Sequence, residues 1–300
     1  MLFCPGEAVL MNALLLFWSI GGTTKRVAEQ IAEGLRSAGA ECSLHDLRTG
    51  PPGDLASYDL IGVGFPVHYF RPPIVVTEAI ASLHALDGRS VFAFSLNGTT
   101  RGAALNRVRS ALARAGGAEI GAFAAYGEDN FYPYARQGWL FSPEHPTQGE
   151  LAAAQAFGAG LVSAHQERRA GGSLPAPRSR DARTHPVHAL ERLVTGPRLT
   201  RRLYSRLFRV DPERCTSCGK CARRCPVHNI TWERGSLPSW GRECVLCLDC
   251  VTICPEEAVH CPLDWALFRP FMRWNVRHAL TDPELDRVAV VHHRGRFERV

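Results

Sequence analysis

The feature that most constrains this chain is a run of four cysteines that occurs twice, as Cys215-Thr-Ser-Cys218-Gly-Lys-Cys221-Ala-Arg-Arg-Cys225-Pro226 and as Cys244-Val-Leu-Cys247-Leu-Asp-Cys250-Val-Thr-Ile-Cys254-Pro255. Both runs read C-x2-C-x2-C-x3-C-P. Three thiolates on one tight loop reach three corners of an iron–sulfur cubane, while the cysteine on the following turn faces away from it. The trailing proline has no N–H and stops the local ladder there. Zinc fits this pattern poorly. It takes its ligands as two pairs, usually about a dozen residues apart, and has no use for a third cysteine at the same spacing or for the Cys-Pro step.

The run resembles the signature of bacterial two-cluster ferredoxins, in which the fourth cysteine of each run serves the other cluster. The resemblance implies two [4Fe–4S] clusters, one on Cys215, Cys218, Cys221 and Cys254, the other on Cys244, Cys247, Cys250 and Cys225. It also implies a small α+β domain of pseudo-twofold form, with Ile230 and Val259 at matching points after the two Cys-Pro turns. With every iron corner taken by cysteine, such clusters leave no open position for a substrate and pass single electrons. Cys4, Cys42 and Cys261 fall outside both runs and read as filler or buried thiol, since nothing near them lowers a thiol pKa.

Eleven cysteines in a chain with no evident targeting segment read as metal ligands or redox groups rather than structural disulfides. The opening Met1-Leu-Phe-Cys-Pro-Gly-Glu has no basic start, Met11 is a second candidate initiator, and no apolar stretch approaches a membrane span. A cytoplasmic protein is the expectation. At 300 residues the chain has room for one large and one small domain. Its formal charge is +6, yet residues 168–209 hold eleven arginines against Asp181 and Glu191, a balance of 11 − 2 = +9. The remainder is then slightly acidic, at 6 − 9 = −3, which argues against a nucleic-acid-binding face.

Between residues 13 and 165, short apolar runs alternate with amphipathic stretches. Ala13 to Trp18, Glu41 to Leu47, Leu60 to Phe65, Val91 to Leu96 and Ile120 to Tyr126 read as buried strands bounded by Gly, Asn, Asp or Pro. Val27, Ile31 and Leu35 fall on one helical face, and Ile74 to Leu86, Ala103 to Ala115 and Glu150 to Gln166 complete the helices. Alternation of this kind predicts a five-stranded, doubly wound parallel sheet with right-handed crossovers. From Arg169 to Pro186 the composition turns to Gly, Ser, Pro, Ala and Arg, as in a linker. Beyond it, Arg201 to Arg209 is basic and amphipathic, with Leu203, Leu207 and Phe208 expected to pack on the cysteine-bearing part rather than on lipid.

The first strand runs through Ser19-Ile-Gly-Gly-Thr-Thr24 into the helix carrying Val27. Glycines, hydroxyls and free amides at a helix N-terminus form an anion site, most naturally for phosphate. The Walker spacing is absent, and Gly62-Val-Gly64 lacks a third glycine. The turn resembles the flavodoxin phosphate loop, with Gly21 where a hydroxyl is usual and Thr23 where asparagine is usual. Tyr58 to Pro73 looks like the second flavin loop, and Ser95-Leu-Asn-Gly-Thr-Thr100 like the third. This resemblance implies FMN, its phosphate on Ser19, Gly22, Thr23 and Thr24 and its ring between Pro66, Val67, His68 and Tyr69 on one side and Asn97, Gly98 and Thr99 on the other. It further implies the strand order 2-1-3-4-5, with the ligand at the switch point beside the first strand.

Taken together, the chain resembles fused flavodoxin–ferredoxin proteins, sometimes called ferrodoxins. The expected units are a flavodoxin-like domain at 11–168, a linker at 169–186, a helical connector at 187–209, a two-cluster domain at 210–262 and a covering tail at 263–300. In the tail, Trp265, Phe268, Phe271 and Trp274 are expected to shield a cubane. The expected role is electron transfer between redox partner proteins, with FMN joining two-electron and one-electron carriers. A flavin-dependent reductase with the clusters as its electron supply, and a redox sensor without catalysis, remain open on sequence grounds.

Overall fold

The computed structural model describes residues 11–83, 86–172 and 185–300. Cys4 and most of the expected linker lie outside these. The chain begins β1 (Asn12–Phe17), α1 (Thr23–Ser37), β2 (Glu41–Asp46), β3 (Leu60–Pro66), α2 (Ile74–Ser82), β4 (Ser90–Asn97), α3 (Ala104–Arg114) and β5 (Ala118–Tyr126). All five strands are parallel, in the order β2-β1-β3-β4-β5. They pair this way because β1, β3 and β4 are apolar on both faces and must be covered on both.

After β5 come α4 (Tyr132–Ala135), β6 (Trp139–Phe141) and α5 (Gln148–Arg169). Helices α1 and α5 cover one face of the sheet through Val27, Ile31, Leu35, Ala154 and Leu161, while α2 and α3 cover the other through Val76, Ile80, Leu105 and Val108. The α1–α5 pair is unusually close. A Cβ on Gly34 would fall 1.9 Å from the Gln155 carbonyl oxygen, and one on Gly158 would fall 2.1 Å from that of Ile31. Only glycine fits at those crossings. A capping box between Thr147 and Glu150 starts α5, and the helix runs on through Arg168 and Arg169, into what the sequence suggested was linker.

The connector forms α6 (Pro186–Val194) and α7 (Pro197–Arg202), broken at Gly196-Pro197. Phe208 and Leu207 pack into the cysteine-bearing core as expected, but Leu203 is 43% exposed and Tyr204 takes the buried position. A 3-10 turn at Tyr204–Arg206 rotates the chain out of helical register and swaps the two.

The cysteine-bearing part holds β7 (Arg209–Val210), α8 (Lys220–Arg224), β8 (Ile230–Thr231), β9 (Ser239–Trp240), α9 (Asp249–Thr252) and β10 (Val259–His260). It is built twice. Each cysteine of the second run follows its counterpart by 29 residues, as in 244 − 215 and 254 − 225. The backbone repeats with it: φ is positive at Ser217 and Leu246 (52° and 55°), at Gly219 and Leu248 (67° and 62°), and at His228 and Glu257 (50° and 48°). Strand β7 pairs with β10 and β8 with β9, so each short ribbon joins one half to the other.

The tail forms α10 (Arg269–Leu280) and a hairpin of β11 (Arg287–His293) and β12 (Arg296–Arg299). It does more than lie over the cysteines. Strand β11 pairs antiparallel with β6, extending a strand of the N-terminal half, and the sequence analysis contained neither strand. Of the four tail aromatics, Phe268 reaches the cysteine core, Trp274 stacks on His278 at 5.0 Å, and Trp265 remains exposed. Among the described residues no helix is long and apolar enough to cross a membrane.

Candidate functional site

The turn between β1 and α1 is set by Gly22, whose φ of 89° lies in the left-handed region that a β-carbon disfavours. The Ser19 hydroxyl accepts from the N–H groups of Gly22 and Lys25, at 3.1 and 3.3 Å, and holds the loop closed. The Thr24 hydroxyl, one residue into the 15-residue α1, is buried and has no hydrogen-bond partner. An orphaned hydroxyl at a helix N-terminus is what an anion's oxygen would satisfy.

A cavity of about 520 Å³ opens from this turn. Ten of the eleven residues that the flavodoxin resemblance assigns to FMN line it: Ser19, Thr23, Thr24, Pro66, Val67, His68, Tyr69, Asn97, Gly98 and Thr99. Gly22 does not, and serves as the turn. The size falls within the range of cofactor sites. The Asn97 amide donates to the Thr99 carbonyl at 2.7 Å, and its own oxygen is buried without a donor. His68 packs on the edge of Trp18, and burial, with Arg71 nearby, pushes its imidazole down to about 4, so it is neutral. Together the orphaned Thr24 and Asn97 atoms and the three loops fit a phosphorylated, ring-bearing ligand.

Cys215, Cys218, Cys221 and Cys254 line a pocket of their own. Burial pushes Cys221 up to about 11; the Ala222 N–H works against this, and Cys254, Cys218 and Cys215 add to it. Cys250 is pushed well up by burial and then by Cys247, Cys244 and Cys225. Each set therefore gathers three thiols of one run with the fourth of the other. Such thiols stay protonated unless a metal takes the proton's place. Matching backbone donors reach the exchanged cysteines, from Asn229 to Cys225 Sγ at 3.2 Å and from Ala258 to Cys254 Sγ at 3.3 Å. Cys261, outside both sets, is fully buried, and burial pushes its thiol far up.

The two sites share a wall. Leu246 and Cys247 line the 520 Å³ cavity, and the Tyr69 hydroxyl donates to the Leu246 carbonyl at 2.7 Å. Tyr69 also meets Phe131 edge-on at 5.5 Å, and burial keeps its phenol protonated. The hairpin closes another side through Gly295, Arg296 and Phe297. Sequence reasoning missed Asp129, Tyr134, Glu191 and Leu246 as lining residues. Asp129 and Tyr134 flank the Asn130-Phe-Tyr-Pro133 stretch just after β5, and nothing in α6 marked Glu191 as facing inward.

Two family models match the chain: a flavodoxin domain over residues 14–131 and a 4Fe-4S binding domain over residues 208–231. The second cysteine run lies beyond the latter. No curated protein matches. Among solved structures, a flavodoxin from the domain Archaea is 18% identical over 52% of this chain and 99% of its own, with a TM-score of 0.41. The Flv1 flavodiiron core of Synechocystis sp. PCC6803 is 18% identical over 54% of this chain and 37% of its own, with a TM-score of 0.43. A flavodoxin from Streptococcus pneumonia TIGR4 is 14% identical over 51% of this chain and 98% of its own, at 0.40.

Proposed function

We infer that this fusion of a flavodoxin domain with a 4Fe-4S domain is an internally wired electron carrier, in which FMN and two [4Fe–4S] clusters exchange electrons within one chain. The observation that carries this reading is the shared wall, where the Tyr69 hydroxyl ties the second flavin loop to Leu246 inside the second cysteine run. Bound FMN supplies one centre that holds two electrons, while each cluster passes one.

The residues divide the work by position. The Thr24 hydroxyl and the free amides of α1 hold the phosphate, and the loops ending in Tyr69 and Thr99 hold the ring. Cys244, Cys247, Cys250 and Cys225 carry the cluster nearer the flavin, with Cys247 in the cavity wall. Cys215, Cys218, Cys221 and Cys254 carry the outer cluster, and exposed Cys218 makes it the port for a redox partner protein. Buried thiolates and their N–H···S bonds from Asn229, Ala258 and Leu246 tune the potentials.

Iron, sulfide and flavin counted on one anaerobically purified sample test this. The reading expects two cubanes and one FMN per chain. Full cluster content with no flavin, even after FMN is added, overturns the flavin half; a single cluster overturns the assignment of the second run.

A further inference from the structure

Helix α6 is packed inside out. Its buried residues are His188 and Glu191, while Leu190 and Leu193 stand 56% and 74% exposed. A carboxyl group buried in place of two leucines costs stability unless it is used. Glu191 lines the same cavity as the flavin loops, and its Oε2 accepts from the Asn275 amide at 2.9 Å.

Beside it lies a second cavity of about 260 Å³, with Phe70, Thr99, Thr100 and Tyr134 common to both cavities and His188, Asn275 and His278 on its own side. Two polar atoms at this cavity are buried with no partner, His188 Nδ1 and the Asn275 side-chain oxygen. Water, at about 30 Å³ per molecule, fills such a space and satisfies such atoms.

We propose that Glu191 hands protons to the bound flavin and recovers them from water in this second cavity, a role that rests on the FMN reading above. When the neighbouring cluster delivers an electron, the Glu191 O–H bond breaks and an N–H bond forms on the ring. The carboxylate then takes a proton from the hydrated cavity. Two rounds deliver two electrons and two protons, and the cluster is re-reduced by a one-electron donor protein.

The surroundings suit the task. Burial pushes the Glu191 carboxyl up to about 7, against the Asn275 hydrogen bond and with a further push from Asp129. Asp129 accepts from the Phe131 N–H at 3.1 Å and is itself pushed up to about 6 by burial, opposed by that hydrogen bond and aided by Glu128. The other groups around Glu191 are Tyr69 and Arg71 from the loop after β3, Tyr134 from α4, His278 from α10, and His188 and Arg192 on its own helix. The Arg71 guanidinium is engaged by the Thr195 carbonyl at the end of α6, and His188, pushed down to about 4 by burial and by His278 and His185, is neutral. Neither Glu191 nor Asp129 lines the second cavity, but Asn275, which does, donates to Glu191, so Glu191 is the carboxyl group joined to it.

The test is stopped-flow reduction of the flavin in the full-length holoprotein, with the clusters as immediate donor, from pH 5.5 to 8.5. The wild-type rate falls as pH rises through about 7, because the acid form is lost. Glu191→Gln retains flavin but loses on the order of 10²-fold in rate and its pH dependence. Glu191→Asp restores part of both, and Asp129→Asn moves the midpoint to lower pH. A Gln variant with bound flavin and the wild-type rate and profile overturns the proposal alone; wild-type protein that binds no FMN overturns it together with the reading beneath it.

Discussion

Thr24 and Glu191 are polar side chains buried at a cost, and each has a measurable consequence. The Thr24 hydroxyl has no partner among the described residues, and in the proposed site a phosphate oxygen offsets its burial. Thr24→Val keeps the shape of the helix start and removes the donor, so FMN should bind about tenfold more weakly, as flavin-fluorescence titration would read. Unchanged affinity would place the phosphate elsewhere. Glu191 makes a separate prediction for stability. Its folded pKa near 7 lies above an unfolded carboxyl value of about 4.3, so the unfolded chain releases this proton first as pH rises. Stability therefore falls between those values, and above pH 7 the ionised form carries a penalty of about 4 kcal/mol. Glu191→Gln should melt close to wild type at pH 5 and clearly higher at pH 8; equal differences at both pH values would contradict the burial argument.

At the scale of elements, the two cysteine loops are one structure repeated, and their exchange of a fourth ligand is testable by deletion. Cys225→Ala should remove the spectroscopic signal of the cluster held by Cys244, Cys247 and Cys250, leaving the cluster of the run to which Cys225 itself belongs. Electron paramagnetic resonance of the reduced protein distinguishes the two by their coupling to flavin; loss of the outer cluster instead would mean that each run is self-contained. These loops and the five parallel strands were legible in the sequence. A run of thiols has few physical uses, and strands apolar on both faces have only a covered parallel sheet to enter. The pairing of β6 with β11 was not legible, because three residues of strand at Trp139–Phe141 carry too short a period and their partner lies at the far end of the chain. Glu191 was hidden for a related reason. The Leu190 and Leu193 pattern points the helix the other way, and the hydrogen bond from Asn275 of α10 holds Glu191 inward.

At the scale of the whole molecule, several contacts hold the flavin loops against the cysteine loops. Arg201 in the connector pairs with Glu78 of α2 at 2.6 Å and with Glu243 beside the second cysteine run at 3.1 Å. Exposed pairs of this kind contribute little alone, so the stronger ties are the part-buried Tyr69–Leu246 hydrogen bond and the β6–β11 pairing. His292 of the hairpin adds a hydrogen bond to the Thr252 carbonyl of α9 at 2.8 Å. In the proposed carrier these contacts fix the distance between flavin and cluster, so that transfer between them needs no encounter of two molecules. The measurement that tests this most directly is the rate of electron exchange between cluster and flavin in the holoprotein, followed by flash reduction over a hundredfold range of protein concentration. A first-order rate independent of concentration is the expected result. A rate that rises in proportion to concentration would mean that electrons pass between chains, and would contradict the internally wired carrier.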